Sequence, residues 1–309
     1  MTAVSETGVC VCICTFRRPQ ALQLLLESLH RQTLQPQRVG DVDNDKLLRA
    51  EGVCAAADFG FELIYDHEPE QNISRARNRT LRHAQGDWVG FLDDDEVAPP
   101  DWLERMLECA AEHEADGVLA PVISEVPPSA PAWIQRGDFY GRERYATGTV
   151  VPNNQLRIGN ALIRHSTVAS KADPFDPAFG LTGGEDGRLL GQLVGQGARF
   201  VWCDEAVVTE PVEAKRLSLN WILMRAMRGG QDFGLHFLAG AYGPVTPVRR
   251  VVFAVKALLA LLIAAPAAAL SFPFGRHRAA HWLKKAYAQL GKLLAFSRYR
   301  YQEYRDPAQ

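Results

Sequence analysis

Residues 9–15 (Val-Cys-Val-Cys-Ile-Cys-Thr) are apolar almost without a break. Pro19 then opens a stretch in which Leu22, Leu25, Leu26 and Leu29 recur at the helical period. This predicts a fully buried strand followed by an amphipathic helix. The alternation repeats: a strand over 38–44, made polar by Gly40 and Asp41; a helix over 47–57; a strand over 61–65; a basic helix over 73–84; and a buried strand over 88–92. A helix over 102–113 and a strand over 117–123 continue it. Strands alternating with helices at this spacing predict an α/β fold, a parallel sheet with helices on both faces. In such sheets ligands sit beyond the carboxyl ends of the strands, so the residues just after each strand carry the interest.

From 124 to 157 the chain is rich in Pro, Gly and aromatic residues and has no clear period. A loop of that length inside a compact domain is usually functional or mobile. Periodicity returns with a helix over 185–196, a strand over 199–203 and an amphipathic helix over 217–227, on which Arg225 and Arg228 face one way. Those two arginines either clamp a diphosphate or pair with acids. His165, His236 and the other histidines form no recognisable ligand set.

Composition alters this picture only when the chain is divided. The 309 residues carry a net charge of −2, but residues 1–248 hold 23 Lys/Arg against 34 Asp/Glu and residues 249–309 hold 11 against 2. A tail of net +9 on a body of net −11 points to an anionic lipid leaflet as partner. Nucleic acid is not expected, because the tail couples its charge to long apolar runs rather than to loops. No residue from 257 to 275 is charged, although Pro266 and Pro273 interrupt the run. A membrane-dipping hairpin, a span and a buried core helix are all compatible with that length. Beyond it, Leu283, Tyr287, Leu290 and Leu294 share one face while Lys284, Lys285 and Lys292 lie elsewhere, the pattern of an interfacial helix.

Cys10, Cys12 and Cys14 alternate along the first strand, so they share a face and do not bridge one another. Small buried thiols are ordinary core residues, and a reducing cytoplasm suits them. The polar stretch 1–8 contains Glu6 and lacks a basic start, so no signal peptide is expected.

The chemistry is concentrated where Trp88-Val-Gly-Phe-Leu92 runs into Asp93-Asp94-Asp95-Glu96. Four acids at a strand's carboxyl end offer hard oxygen ligands for Mg²⁺ or Mn²⁺ shared with phosphate oxygens. The other reading is a solvated acidic turn in which Asp94 and Glu96 cap the following helix. A second acidic pair, Glu185-Asp186, follows Gly183-Gly184 at the start of a helix. A positioned carboxylate there suits a general base for an attacking hydroxyl; the macrodipole's preference for acids is the alternative.

Ser74-Arg-Ala-Arg-Asn78, Gly86-Asp87 and the acidic strand end resemble the nucleotide-sugar-binding half of the family 2 (GT-A) glycosyltransferases. So do Cys14-Thr15-Phe-Arg-Arg-Pro19 and Val42-Asp43-Asn44, and the match covers residues 9–100. The resemblance implies that Thr15 and Asp43 meet the nucleobase, that Asp93 and Asp94 lie near the ribose, that Asp95 binds the metal, and that Arg77 lies near the diphosphate. The family's second strand is normally an unbroken apolar run, which Gly40-Asp41 interrupts here. Phe175-Asp-Pro-Ala-Phe-Gly180, the Gly-Gly-Glu-Asp run and Val201-Trp-Cys-Asp-Glu-Ala206 resemble the acceptor half of bacterial exopolysaccharide enzymes of the succinoglycan-biosynthesis type. That implies Asp186 as the base, with Glu185 beside it among the donor-binding residues. Gly159-Asn160 lies where such enzymes carry a Gly-Asn before an apolar turn, so Asn160 either touches the sugar or simply makes the turn.

The expectation is therefore a GT-A domain over 1–248, with a nucleotide-sugar-binding half (1–123) and an acceptor half (124–248), followed by a membrane-associating tail (249–309). Its expected activity is metal-dependent, inverting transfer from a nucleotide-sugar, UDP-linked, to a saccharide acceptor that is lipid-linked, at the cytoplasmic face of the cell membrane. Two rivals are a sugar-nucleotidyltransferase, which needs a Gly-rich basic loop after the first strand, and a non-catalytic membrane scaffold of the same fold.

Overall fold

The computed structural model describes residues 8–55 and 58–303; of the polar stretch 1–8 and the helix expected over 47–57, residues 1–7 and 56–57 lie outside it. The described residues divide into two compact units, one within 8–123 and 142–210, the other 124–141 with 211–303.

The first unit opens with β1 (Val9–Thr15), α1 (Pro19–His30), β2 (Arg38–Asp43), α2 (Glu51–Ala55), β3 (Glu62–His67), α3 (Ile73–His83), β4 (Trp88–Asp93), α4 (Trp102–Glu112) and β5 (Gly117–Leu119). Next along the chain are β6 (Val122–Glu125) and, in the second unit, α5 (Ala132–Gln135); the first unit resumes with β7 (Ala161–Arg164), α6 (His165–Val168), α7 (Glu185–Gly195), β8 (Phe200–Trp202) and β9 (Val208–Pro211). Seven strands form one sheet in the order β3-β2-β1-β4-β7-β5-β8. The alternation in β1 decides its two faces. Val9, Val11 and Ile13 pack with α1 and α4, through Leu22, Leu25, Trp102 and Met106. Cys10 and Cys12 point the other way, into a core with Leu81, Phe175 and the α7 leucines. Among the described residues the cysteines are free thiols, and Cys10 and Cys12 are buried.

Gly40 and Asp41 do not interrupt β2. It pairs in parallel with β1 throughout, Ile13 opposite Asp41 and Thr15 opposite Asp43, so Asp43 stands in the expected register.

The sheet is parallel-dominated but not wholly parallel. β7, read from sequence as a turn after Asn160, is an antiparallel strand between β4 and β5. Four residues are too few to show a period, and both pairing partners lie far away in sequence. The strand expected over 117–123 is two strands, because Pro121 has no N–H to continue a ladder. β5 stays in the large sheet, while β6 pairs with β9 in a second sheet of two strands.

The second unit contains α5, α8 (Leu219–Leu238), α9 (Pro247–Ser271) and α10 (Arg276–Leu294). Its small core joins Ile134, Phe139, Ile222 and Ala280. α8 is much longer than its sequence period suggested, and it packs along α10. Side chains at the crossing would collide: a Cβ at Gly291 would stand 1.9 Å from the Met227 carbonyl oxygen, and one at Gly230 2.0 Å from that of Ala288. By compactness α8 groups with the tail helices, in the unit made of 124–141 and 211–303. Arg225 and Arg228 both pair with an acid, Glu303.

α9 runs through Pro266 without ending. The most apolar 18 residues of the segment Pro247–Phe274 have a mean hydropathy of 2.3, and the segment is, by length and composition, able to cross a membrane. Only 17% of its most apolar window is buried, so it is not a core helix. Leu258, Leu259, Leu262, Ile263 and Leu270 are exposed, while Ala257, Ala264 and Ala268 are buried.

Candidate active site

β1 and β4 are parallel neighbours, so their carboxyl ends reach the same edge. Asp94, just past β4, is buried there and ties the two ends together. Its Oδ2 accepts from the Thr15 hydroxyl at 3.0 Å and from the Phe16 N–H at 3.1 Å, and its Oδ1 accepts from Arg18 Nη1 at 2.7 Å. Burial raises the Asp94 carboxyl above its ordinary range, against the pull of Arg18 and the two donors from β1's end. The same Arg18 nitrogen lies 3.0 Å from Asp95 Oδ2. Glu96 is buried behind them and accepts from the Asp93 N–H at 3.0 Å. Burial, with Asp93 and Glu210 nearby, pushes its carboxyl well up. Asp93 differs from the rest of the run, since half of its side chain is exposed.

Arg77, on α3, reaches two acidic clusters at once. It lies 3.4 Å from Asp93 and donates to Glu185 at the start of α7. Burial works against its charge, but Glu185, Asp93 and Asp186 around it hold the guanidinium protonated. α3 is fixed by its own amides: Asn72 caps it by accepting from the Arg75 N–H, and Asn78 exchanges hydrogen bonds with both backbone groups of Phe175. Gly183 and Gly184 both take left-handed φ values, 78° and 91°, which glycine adopts without steric cost and which deliver the chain into α7. Asp186 follows in α7's first turn. Its Oδ1 accepts from the Gly187 N–H at 2.8 Å, and its Oδ2 lies 3.4 Å from the Ile158 nitrogen. The sheet thus brings an acidic strand end and an acidic helix start together through one arginine.

The chain matches the model of Glycosyl transferase family 2 over residues 10–166. It is also 35% identical over 240 residues to the succinoglycan biosynthesis protein ExoM of Rhizobium meliloti (strain 1021), covering 75% of each chain. This chain belongs to glycosyl transferase family 2. A further relative is a glucosyl-dolichyl phosphate glucuronosyltransferase of Haloferax volcanii, 26% identical over 147 residues, 45% of this chain and 44% of that one. Among solved structures, S. aureus TarS 1-349 matches with a TM-score of 0.53 at 15% identity, over 93% of this chain and 90% of that one. The same protein in complex with UDP matches with a TM-score of 0.51 over the same shares. These likenesses carry the GT-A fold. Membership of the family sets aside the nucleotidyltransferase reading.

In this family 2 glycosyltransferase, Asn160 and Asp43 are both engaged within the protein. Asn160 is completely buried with a left-handed φ of 55°, and its amide is spent on the protein. It accepts from Trp102 Nε1 at 2.7 Å and donates to the carbonyls of Pro121 and Ala206 at 2.8 Å each. It makes the turn into β7 and presents nothing to a sugar. Asp43 stands beside Thr15, but its carboxylate is completely buried, accepting from the N–H groups of Asp45 and Ala50 and from the Tyr65 hydroxyl. In this arrangement it orders the loop after β2 rather than facing a base. Thr15 is likewise engaged, donating to Asp94.

Sequence reasoning gave no separate role to Arg18 or Arg157, and left Glu96 as one of four acids, either a metal-site oxygen or a helix cap. Arg18 was legible in principle, since a cation just after β1 must face acids just after a parallel neighbour. Arg157 carried no signal, because it lies in a stretch without periodicity. It is half-buried over the Trp202 ring at 6.0 Å. Burial pushes its guanidinium down to about 10, reinforced by Arg142 and opposed by Asp186.

Proposed function

We propose that this glycosyltransferase moves a sugar from a UDP-linked donor to a saccharide acceptor by a single displacement that inverts the anomeric carbon. The observation that carries the reading is the joining of Asp93 and Glu185 through Arg77, which sets the acidic strand end beside Asp186. Asp186, oriented by the Gly187 N–H, takes the proton of the acceptor hydroxyl as its oxygen attacks the anomeric carbon. The bond from that carbon to the diphosphate oxygen breaks, and the diphosphate leaves on the Asp93 side, near Arg77. The ribose lies toward Asp93 and Asp94.

Among the described residues no three His, Cys, Asp or Glu side chains stand close enough to enclose an ion. Mg²⁺ is usually held by only one or two carboxylates, substrate phosphates and waters completing its shell. The half-exposed Asp93 and the neighbouring Asp95 suit that division of ligands, so the residues fit, with Asp95 as the principal ligand. The chemistry supplied by Mg²⁺ or Mn²⁺ when bound is neutralisation of the departing diphosphate.

The acceptor in this reading is lipid-linked, and residues 249–309 hold the enzyme at the cytoplasmic face of the membrane. The exposed apolar side of α9 and the basic residues around α10 support this. The role of the Rhizobium relative in succinoglycan synthesis suggests a surface polysaccharide as the product.

The test is slow hydrolysis of a panel of nucleotide-sugars by the full chain with Mn²⁺, before and after chelation. A UDP-sugar should be hydrolysed, and chelation should stop it. Neither hydrolysis nor UDP binding by wild type would sink the reading; hydrolysis that survives chelation would remove the metal from it.

A further inference from the structure

The stretch 157–159 threads between the two acidic clusters. Ile158 offers its nitrogen to Asp186 at 3.4 Å. A side chain on Gly159 would stand 3.4 Å from both Asp93 Oδ2 and Glu96 Oε1. Arg157 begins this stretch, so its guanidinium is carried on the backbone that separates base from strand end.

Arg157 is also unlike the other arginines of this region. Arg77 and Arg18 both pair with carboxylates. The Arg157 Nε is shielded from solvent and makes no hydrogen bond among the described residues. Arg142 is a second positive charge in its field, while Asp186 supplies an opposing negative one. The guanidinium carbon lies 6.0 Å from the centroid of the Trp202 ring. A shielded N–H without an acceptor costs stability, and the cost is offset when an anion arrives to accept from it. The planar fork of arginine matches the oxygens of a phosphate or carboxylate.

We infer that Arg157 recognises an anionic oxygen group of the sugar-transfer substrate, the nucleotide's diphosphate or the carboxylate of an acidic sugar. This rests on reading the acidic clusters as donor and base sites. Arg157 is then a substrate-binding residue placed by the loop before β7, and it helps decide which charged donor the enzyme accepts.

The test compares wild type with Arg157→Gln and Arg157→Lys in the full chain. UDP with Mn²⁺ is titrated by calorimetry, and uridine binding is followed by ligand-observed NMR. If the diphosphate is the partner, Arg157→Gln weakens UDP by about 10- to 100-fold, the range for a lost hydrogen bond to a charged group, and leaves uridine unchanged. Arg157→Lys falls between. If an acidic sugar is the partner, UDP binding holds and hydrolysis of UDP-glucuronate falls while that of UDP-glucose does not. Unchanged UDP affinity together with unchanged hydrolysis of both donors overturns the inference. So does a lower melting temperature with UDP and uridine weakened alike, because that marks a structural arginine. A wild type that binds no UDP instead refutes the parent reading.

Discussion

Arg77 donates a hydrogen bond to Glu185, 108 residues further along the chain, and lies 3.4 Å from Asp93. Helix α3 thereby links the end of β4 to the start of α7. Both Arg77 and Glu185 are shielded from solvent, so neither charge has water to fall back on. Removing one partner of such a pair leaves the other uncompensated, which typically costs about 3–5 kcal/mol. Arg77→Met should therefore lower the urea midpoint strongly, and adding Glu185→Gln should recover much of the loss. A single variant within about 1 kcal/mol of wild type would mean that the link is not structural.

Asp186→Asn keeps the shape of the start of α7 but removes the proton acceptor. Transfer should fall by about two to four orders of magnitude while UDP affinity stays near that of wild type. Steady-state transfer and calorimetry measure the two halves. Near-native turnover would give the role of base to Glu185 or another group.

Asp41 offers a test of the buried sheet. It is completely buried in β2, with the Cys54 thiol 3.6 Å away, and its Oδ1 has no hydrogen-bonding partner among the described residues. Burial, then the charges of Asp94 and Asp43, push its carboxyl well above the ordinary range. In the unfolded chain an aspartate ionises near about 3.9. Above that pH the folded state holds one proton more than the unfolded state. Stability is thus fully present below about pH 3.9 and declines as pH rises toward the folded pKa, by at most about 1.4 kcal/mol per unit. Asp41→Asn removes that slope. Its melting temperature should exceed that of wild type at pH 7.5, with the gain shrinking toward pH 4. A variant no more stable at either pH would show that the carboxyl is not held neutral.

The membrane proposal is best tested without deleting the tail, because α10 packs on α8 and its loss would strip that helix. Leu259, Leu262 and Ile263 are exposed on α9, so Leu259→Gln, Leu262→Gln and Ile263→Gln together remove apolar contact without opening a core. Full-length protein should float with phosphatidylglycerol vesicles, and the triple variant should float less. Basic residues near such a surface contribute roughly 1 kcal/mol each, so salt should release part of the wild type but not all. Wild type that stays at the bottom of the gradient at low salt would end the proposal.

Local pattern alone determined much of this protein. The strand–helix alternation, the opposed faces of β1, the acidic end of β4 and the acidic start of α7 were all legible, because each depends on periodicity or on residues adjacent in the chain. The GT-A resemblance was legible for the same reason, since its motifs are short and contiguous. Tertiary structure decided the rest. β7 is too short to carry a period, and its partners β4 and β5 come from elsewhere in the chain. Asn160 and Asp43 read as ligand-facing from position, yet burial gave their polar atoms to Trp102, Pro121, Ala206, Asp45, Ala50 and Tyr65. Arg77 belonged to a recognised motif, but only folding could show that it bridges Asp93 and Glu185. A side chain's hydrogen bonds are settled by whatever the fold brings within about 3 Å, and sequence neighbours supply few of those atoms.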